Sequence, residues 1–364
     1  MYKPKILLIS NIPAPYWIYG SEWLRLDFDL TYLCYDRPSE TGRPQYWDQE
    51  LPLNFIICKD RLKIYNKYLD LKISTRIREL NPDLVILGGF AEILSNYIAY
   101  RHCKKNKIKC AMVSEIWRNR SGTPRRLLSY IVSKIFNGID CFLPVGEHAV
   151  EYWSDFFPKE KLHLFRHPTF IDEYMKHPLR KKKNDLTLFF GHRLTEEYNP
   201  LMAIKILSAC QVKYPKTSLL INSAGPLKDK ILNYINENNV TNVRWIDIKS
   251  YSDLSIYYKN GDVSLSPCIY SNGNIGTLEA SASGMPILIS EHVHYHGKII
   301  NKFKNGFILK LSILEFVRKI FQYIEDDELL TCHSNRSKKS VMELNNNEFL
   351  KIFSESVKFT LKKK

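Results

Sequence analysis

The chain has 364 residues, of which 45% are hydrophobic and 25% charged, a balance that excludes a disordered or fibrous protein. Its length exceeds one core of ordinary size and falls short of three. Fifty-three basic residues against thirty-eight acidic ones leave a net charge of +15, which suits phosphorylated or polyanionic partners and is equally explained by a lysine-rich solvated surface.

In chain order, short apolar runs bounded by turn residues predict strands at 5–10, 30–35, 54–58, 84–89, 109–114 and 141–145. Helix-like stretches lie between them, for example at 95–105 and 124–137. Strand alternating with helix predicts a parallel sheet covered on both faces. From His167 to Asp185 the chain holds two prolines, a basic run from Arg180 to Lys183 and little apolar periodicity. A first domain over 1–168 and a linker over 169–185 follow. A second series of strands at 186–191, 218–225, 243–248, 263–266, 286–290 and 306–310 predicts another domain over 186–345. Residues 346–364 read as an amphipathic helix with Phe349, Ile352, Phe353 and Val357 on one side, expected to pack back toward the first domain. The fold class is α/β, with two Rossmann-like, doubly wound parallel-sheet domains.

The eight cysteines form no CxxC pair and no zinc-ligand spacing with histidine, so reduced, buried thiols are expected. No run reaches the length of a membrane-spanning helix, and the N-terminus has no signal-peptide pattern. A soluble, cytoplasmic protein is expected, with peripheral contact at the inner face of the membrane left open.

In open parallel sheets, ligands bind where loops leave the carboxyl ends of strands. The most informative such loop runs from Ser266 to Glu291. There a strand ends, Gly273 and Gly276 turn the chain, a helix is expected from about Thr277 to Gly284, and Pro286 opens another strand. Gly273 and Gly276 would let the backbone approach a diphosphate closely, while the N–H groups of Asn274, Ile275, Gly276 and Thr277 and the helix dipole supply positive potential. Glu279, expected within the first turn, would accept hydrogen bonds from ribose hydroxyls, or serve as a partner of the helix dipole.

This stretch resembles the C-terminal signature of the retaining nucleotide-sugar glycosyltransferases of the GT-B fold, the group 1, family 4-like enzymes. Segments 189–207, 219–235 and 242–267 are similar to the family's pattern in the same order, so the likeness spans about residues 186–310; NIPAPYW at 11–17 resembles the opening loop of one subgroup. The resemblance implies a nucleotide-sugar site facing a central cleft, with Arg193 on the donor diphosphate and Asp247 and Ile248 in the loop that grips the base. A structural salt bridge is the alternative for Arg193. Where the family has a first glutamate this chain has Ser271, so Ser271 or Asn272 would meet the donor sugar. Where the family has a diphosphate lysine it has Tyr198, leaving Lys205 or another cation to reach in. A family histidine of the first domain is replaced by the run Ser114-Glu115-Ile116-Trp117. Glu115 would orient or deprotonate the acceptor hydroxyl, or line a pocket wall paired with Arg118 or Arg120.

The implied catalytic residues are Glu115, Arg193 and Ser271, with Asn11, Tyr16, Arg118 and Arg120 toward the acceptor. The implied activity is hexosyl transfer, with retention, from a UDP- or GDP-type sugar to a glycan or lipid-linked acceptor in cell-envelope polysaccharide or lipopolysaccharide synthesis. No metal or other cofactor is expected, and no nucleic-acid reader motif accompanies the charge. The basic segment from Arg118 to Arg126, with Lys104, Lys105, Lys107 and Lys109 upstream, suits an anionic membrane or a pyrophosphate-linked acceptor, or is a solvated face. A binding subunit that kept the fold and lost turnover is the main rival. A nicotinamide dehydrogenase is disfavoured because no GxGxxG opens either half.

Overall fold

The computed structural model describes all residues except 1, 65–66, 90–91, 118–124, 169–170, 181–184, 223–224, 272–274, 294–295, 343–345 and 363–364. The chain divides into two compact units, Met1–Pro168 together with Asn346–Lys364, and Thr169–Asn345.

The first unit runs β1 (Lys5–Ser10), α1 (Pro15–Asp27), β2 (Asp29–Cys34), β3 (Phe55–Ile57), β4 (Leu62–Ile64), β5 (Lys67–Leu69), α2 (Ile73–Leu80), β6 (Leu84–Leu87), α3 (Ile93–Lys105), β7 (Lys109–Ser114), α4 (Arg125–Ile135), β8 (Cys141–Pro144) and α5 (Glu147–Trp153). Six of these strands form a parallel sheet in the order β3-β2-β1-β6-β7-β8. Successive side chains of a strand point to opposite faces. Leu7 and Ile9 therefore enter one core with Val85, Leu87 and Trp153, while Ile6 and Leu8 enter another with Trp17 and Phe165. Both faces need cover, which is why the strands read as continuous apolar runs. The short hairpin β4–β5 has no counterpart in the sequence reading, because β4 is exposed at all three positions. Asp36 anchors it: this buried carboxylate takes Arg61, Lys63 and the Tyr68 hydroxyl.

The second unit runs α6 (Asp172–Met175), β9 (Thr187–Phe190), α7 (Pro200–Gln211), β10 (Ser218–Asn222), α8 (Lys228–Glu237), β11 (Val243–Ile246), α9 (Leu254–Lys259), β12 (Val263–Ser266), α10 (Ile275–Ala282), β13 (Ile287–Ser290), α11 (His296–Phe303), β14 (Gly306–Leu309), α12 (Ile313–Glu325) and α13 (Asp327–Met342). Its six strands repeat the architecture in the order β11-β10-β9-β12-β13-β14, all parallel. Most of the segment read as a linker is packed into this unit. Tyr174 is buried there, Arg180 donates to the Tyr258 carbonyl at 2.8 Å, and His177 meets Ser283 at 3.2 Å. Its polar composition hid this, because side-chain and backbone hydrogen bonds hold it in place of an apolar stripe.

The last helix, α14 (Asn346–Lys362), belongs to the first unit. Phe349, Phe353 and Val357, spaced by four residues, fill the face beneath Ile6 and Leu8, while Ile352 stays half-buried. All eight cysteines are free, and seven are buried.

Candidate functional site

In a doubly wound sheet, the crevice opens where the strand order reverses. In the second unit that point lies between β9 and β12. The loop after β9 carries His192, Arg193 and Tyr198, and the loop after β12 carries Ser271 and leads into α10. One carbonyl ties the two loops together: Glu197 O accepts from the N–H of Ile269 at 2.8 Å and of Tyr270 at 3.2 Å. A third loop joins them. Gly225, at φ +145°, packs its Cα against the backbone of Leu194, and Leu227 N–H donates to Leu194 O at 3.0 Å. A Cβ on Gly225 would meet Leu194 backbone atoms at 2.6 Å, so only glycine allows this approach.

Within that frame, Arg193 lies 3.8 Å from the Glu197 carboxylate and 5.9 Å from the Tyr198 ring centroid. Tyr198 is stacked on His192, with ring centroids 5.0 Å apart and an interplanar angle of 5°. His192 itself meets Ser266 Oγ at 2.7 Å, and burial holds its pKa down at about 4, so the ring is neutral. Tyr198 therefore offers a ring and a hydroxyl where the resemblance implies a cation. The ammonium of Lys205, the cation expected to reach in, lies 5.5 Å from the Tyr234 ring centroid.

Helix α10 starts at Ile275, two residues before the expected position, so Glu279 is its fifth residue and not a member of the first turn. The helix ends as foreseen, with Gly284 at φ +78° donating back to Ser281 O at 2.9 Å. Glu279 is buried, and its two oxygens accept the hydroxyls of Tyr251 at 3.2 Å and Tyr258 at 2.7 Å. Burial raises its pKa, and the hydroxyl donors Tyr258, Tyr251 and Tyr174 oppose that rise. An ionised carboxylate has about four acceptor positions, so a ribose hydroxyl would share this carboxylate with its tyrosine donors. Two helical residues earlier, the hydroxyl of Thr277 is buried and has no hydrogen-bond partner.

Ser271 is buried, and its N–H donates to His292 O at 3.2 Å. Asp247 is exposed and Ile248 buried, and the Asp247 carbonyl accepts the Tyr257 hydroxyl at 2.9 Å. Asn272, Gly273 and Asn274 lie outside the described residues, as do Arg118 and Arg120.

In the first unit, the structure brings Glu115 and Tyr16 to a residue the sequence did not single out. His167 Nε2 lies 2.7 Å from Glu115 Oε1, and the His167 and Tyr16 ring centroids are 5.0 Å apart. The His167 Nδ1 is buried without a partner. Asn11 lies in the loop after β1, where its carbonyl accepts the N–H of Tyr35 at 3.1 Å and Asp36 at 2.9 Å. Its side chain accepts from Ile12 N–H at 3.0 Å. Another residue missed from sequence is Glu92, 2% exposed, beyond the end of β6 at this unit's own strand-order reversal.

Residues 172–340, nearly all of the second unit, match the family described as glycosyl transferases group 1. The second unit is a group 1 glycosyl transferase domain. Beyond this domain, the whole chain is similar to solved structures of the GT-B fold. A mutant of TarM from S. aureus, in complex with fondaparinux, alpha-GlcNAc-glycerol and UDP, is 16% identical with a TM-score of 0.63; 79% of this chain matches, and it spans 58% of that one. HepE from Anabaena, in complex with UDP, is 11% identical with a TM-score of 0.75, covering 97% of this chain and 99% of that one. The lipopolysaccharide outer core galactosyltransferase WaaB is 14% identical with a TM-score of 0.66, covering 97% and 99%. No curated protein matches the sequence. Around the glycosyl transferase domain's switch point, Arg193, Tyr198 and Ser271 thus lie on loops tied through the Glu197 carbonyl, within the segment that matches the family.

Proposed function

We propose that the chain transfers a hexosyl group, with retention, from a UDP- or GDP-type sugar to a glycan or lipid-linked acceptor in cell-envelope polysaccharide synthesis. The carrying observation is the double hydrogen bond at the Glu197 carbonyl, which joins the loop holding Arg193 to the loop entering α10. A diphosphate seated there would face the Arg193 guanidinium, the first N–H groups of α10 and the unpartnered hydroxyl of Thr277. Those groups would stabilise the negative charge that builds on the leaving diphosphate, so catalysis is mainly electrostatic and positional. Ser271 and Asn272 would meet the donor sugar, and the loop of Asp247 and Ile248 the base. Glu279 would reach the ribose only by sharing its carboxylate with its tyrosine donors or exchanging one of them. In the first unit, Glu115, hydrogen-bonded to His167, would orient the acceptor hydroxyl, and Asn11 and Tyr16 would line the same place. The UDP bound in the HepE and TarM structures and the lipopolysaccharide role of WaaB support this choice of donor and acceptor classes.

One observation favours a second reading, a subunit that binds the nucleotide sugar without turnover. Tyr198, stacked on His192 and with Arg193 over its ring, brings no positive charge to the leaving group. Thermal unfolding with UDP, GDP and their sugars separates the possibilities. A bound nucleotide at a hundred times its Kd should stabilise by about 2.7 kcal/mol, and Arg193→Ala should abolish most of that gain. Donor hydrolysis or transfer, lost in the same variant, marks an enzyme, whereas stabilisation without turnover marks the binding subunit. If no nucleotide diphosphate stabilises the protein, both readings fail.

A further inference from the structure

Helix α4 carries apolar side chains on its outward face as well as its inward one. Its inward side buries Ser129 and Ser133 along with Val132 and Phe136. Its outward side leaves Leu127 60% exposed, Leu128 46%, Ile131 43% and Ile135 42%. At ~100° per residue these four fall within one arc roughly 100° wide, the width of a stripe that a helix normally buries.

Cations frame the arc. Lys134 is on the helix itself, its ammonium 5.1 Å from the Tyr130 ring centroid. Neighbouring α3 packs alongside through Tyr100 and Phe136, whose ring centroids are 5.1 Å apart. From α3, Lys104 donates to Gly138 O at 3.0 Å, just beyond the end of α4, and Lys161 donates to Asn137 O at 2.8 Å. Near the start of α4, Arg126 is answered by Asp155 at 2.9 Å. On α3, Leu94 and Tyr97 are also exposed. Among the described residues no helix is long and apolar enough to cross a membrane.

We propose that the outer face of α4 docks on an anionic lipid bilayer, the four aliphatic side chains entering the acyl boundary while Lys104, Lys134 and Lys161 meet the head groups. An apolar stripe edged by lysines matches both layers of such an interface. A second copy of the chain fits less well, since pairing this face with itself would oppose like charges, and the chain as a whole carries +15. The inference concerns lipid and is independent of sugar transfer.

Co-sedimentation of the full chain with vesicles of phosphatidylcholine containing phosphatidylglycerol, against phosphatidylcholine alone, tests it. The intact protein should bind the anionic vesicles and lose most of that binding at high salt. The triple variant Leu127→Ser, Ile131→Ser, Ile135→Ser removes exposed groups only, so it should keep its melting temperature and bind at least about tenfold more weakly. Lys104→Gln with Lys134→Gln should weaken binding to anionic vesicles alone. Absence of binding to anionic vesicles, or equal binding by the serine variant, overturns the proposal. So does a concentration-dependent dimer that only the serine variant loses.

Discussion

Past the end of β6, the carboxyl of Glu92 has an Oε2 with no hydrogen-bond partner, and burial pushes its pKa up to about 7. Lys67 favours its charge and Glu115 opposes it. In the folded protein this group holds a proton that the unfolded chain has already released above the ordinary carboxylate range. Its contribution to stability is therefore complete at low pH and fades as pH rises through about 7. Glu92→Gln keeps the shape and abolishes the ionisation. The variant should be more stable than the parent at pH 8, by roughly 1–3 kcal/mol, with little difference at pH 5. Denaturant midpoints at the two values would measure this, and a Gln variant less stable at pH 8 would sink it. In the second unit, His192 shows the opposite case, a ring kept neutral by burial so that Tyr198 can lie flat against it.

Among the elements, the loops at the ends of β9, β10 and β12 act as one piece because backbone groups join them. That gives a substitution far from any charged group an effect on the site. Gly225→Ala would force a Cβ into the backbone of Leu194, at a φ that alanine rarely adopts. It should cost at least ~1 kcal/mol of stability and, by displacing the residue after Arg193, reduce stabilisation by a nucleotide diphosphate. Melting curves with and without UDP would check both, and an alanine variant that melts and responds like the parent would refute the coupling. Strands were readable to within a few residues because parallel strands buried on both faces are unbroken aliphatic and aromatic runs. The hairpin β4–β5 was not, since its anchor, Asp36, lies 25 residues from Arg61 and 32 from Tyr68.

For the whole molecule, the two units should respond to acid in opposite directions. Burial holds His177, His192 and His333, all in the second unit, at about 4. Neutral histidines stabilise the fold above their ordinary range near pH 6.5, and that stability is lost as pH falls toward 4. Glu279, raised by burial in the same unit, opposes this with one group against three. Calorimetry at pH 7 and pH 5 should therefore show the second unit's transition moving down on acidification, with Glu92 pulling the first unit's the other way against His102, whose pKa burial lowers. Glu92→Gln identifies the first unit's transition, and a parallel shift of both would disprove the assignment. Composition and periodicity alone determined the two parallel-sheet domains and most strand positions, since burying a sheet on both faces imposes a local pattern. The short glycine-bearing turn into α10 also carried its family likeness in consecutive residues. The partners were decided only by the tertiary structure: His167 for Glu115, 52 residues away, Ser266 for His192, 74 away, and the tyrosines around Glu279. A single histidine or tyrosine has the same sequence signature in any role, and only the folded chain sets which polar atom it meets away from water.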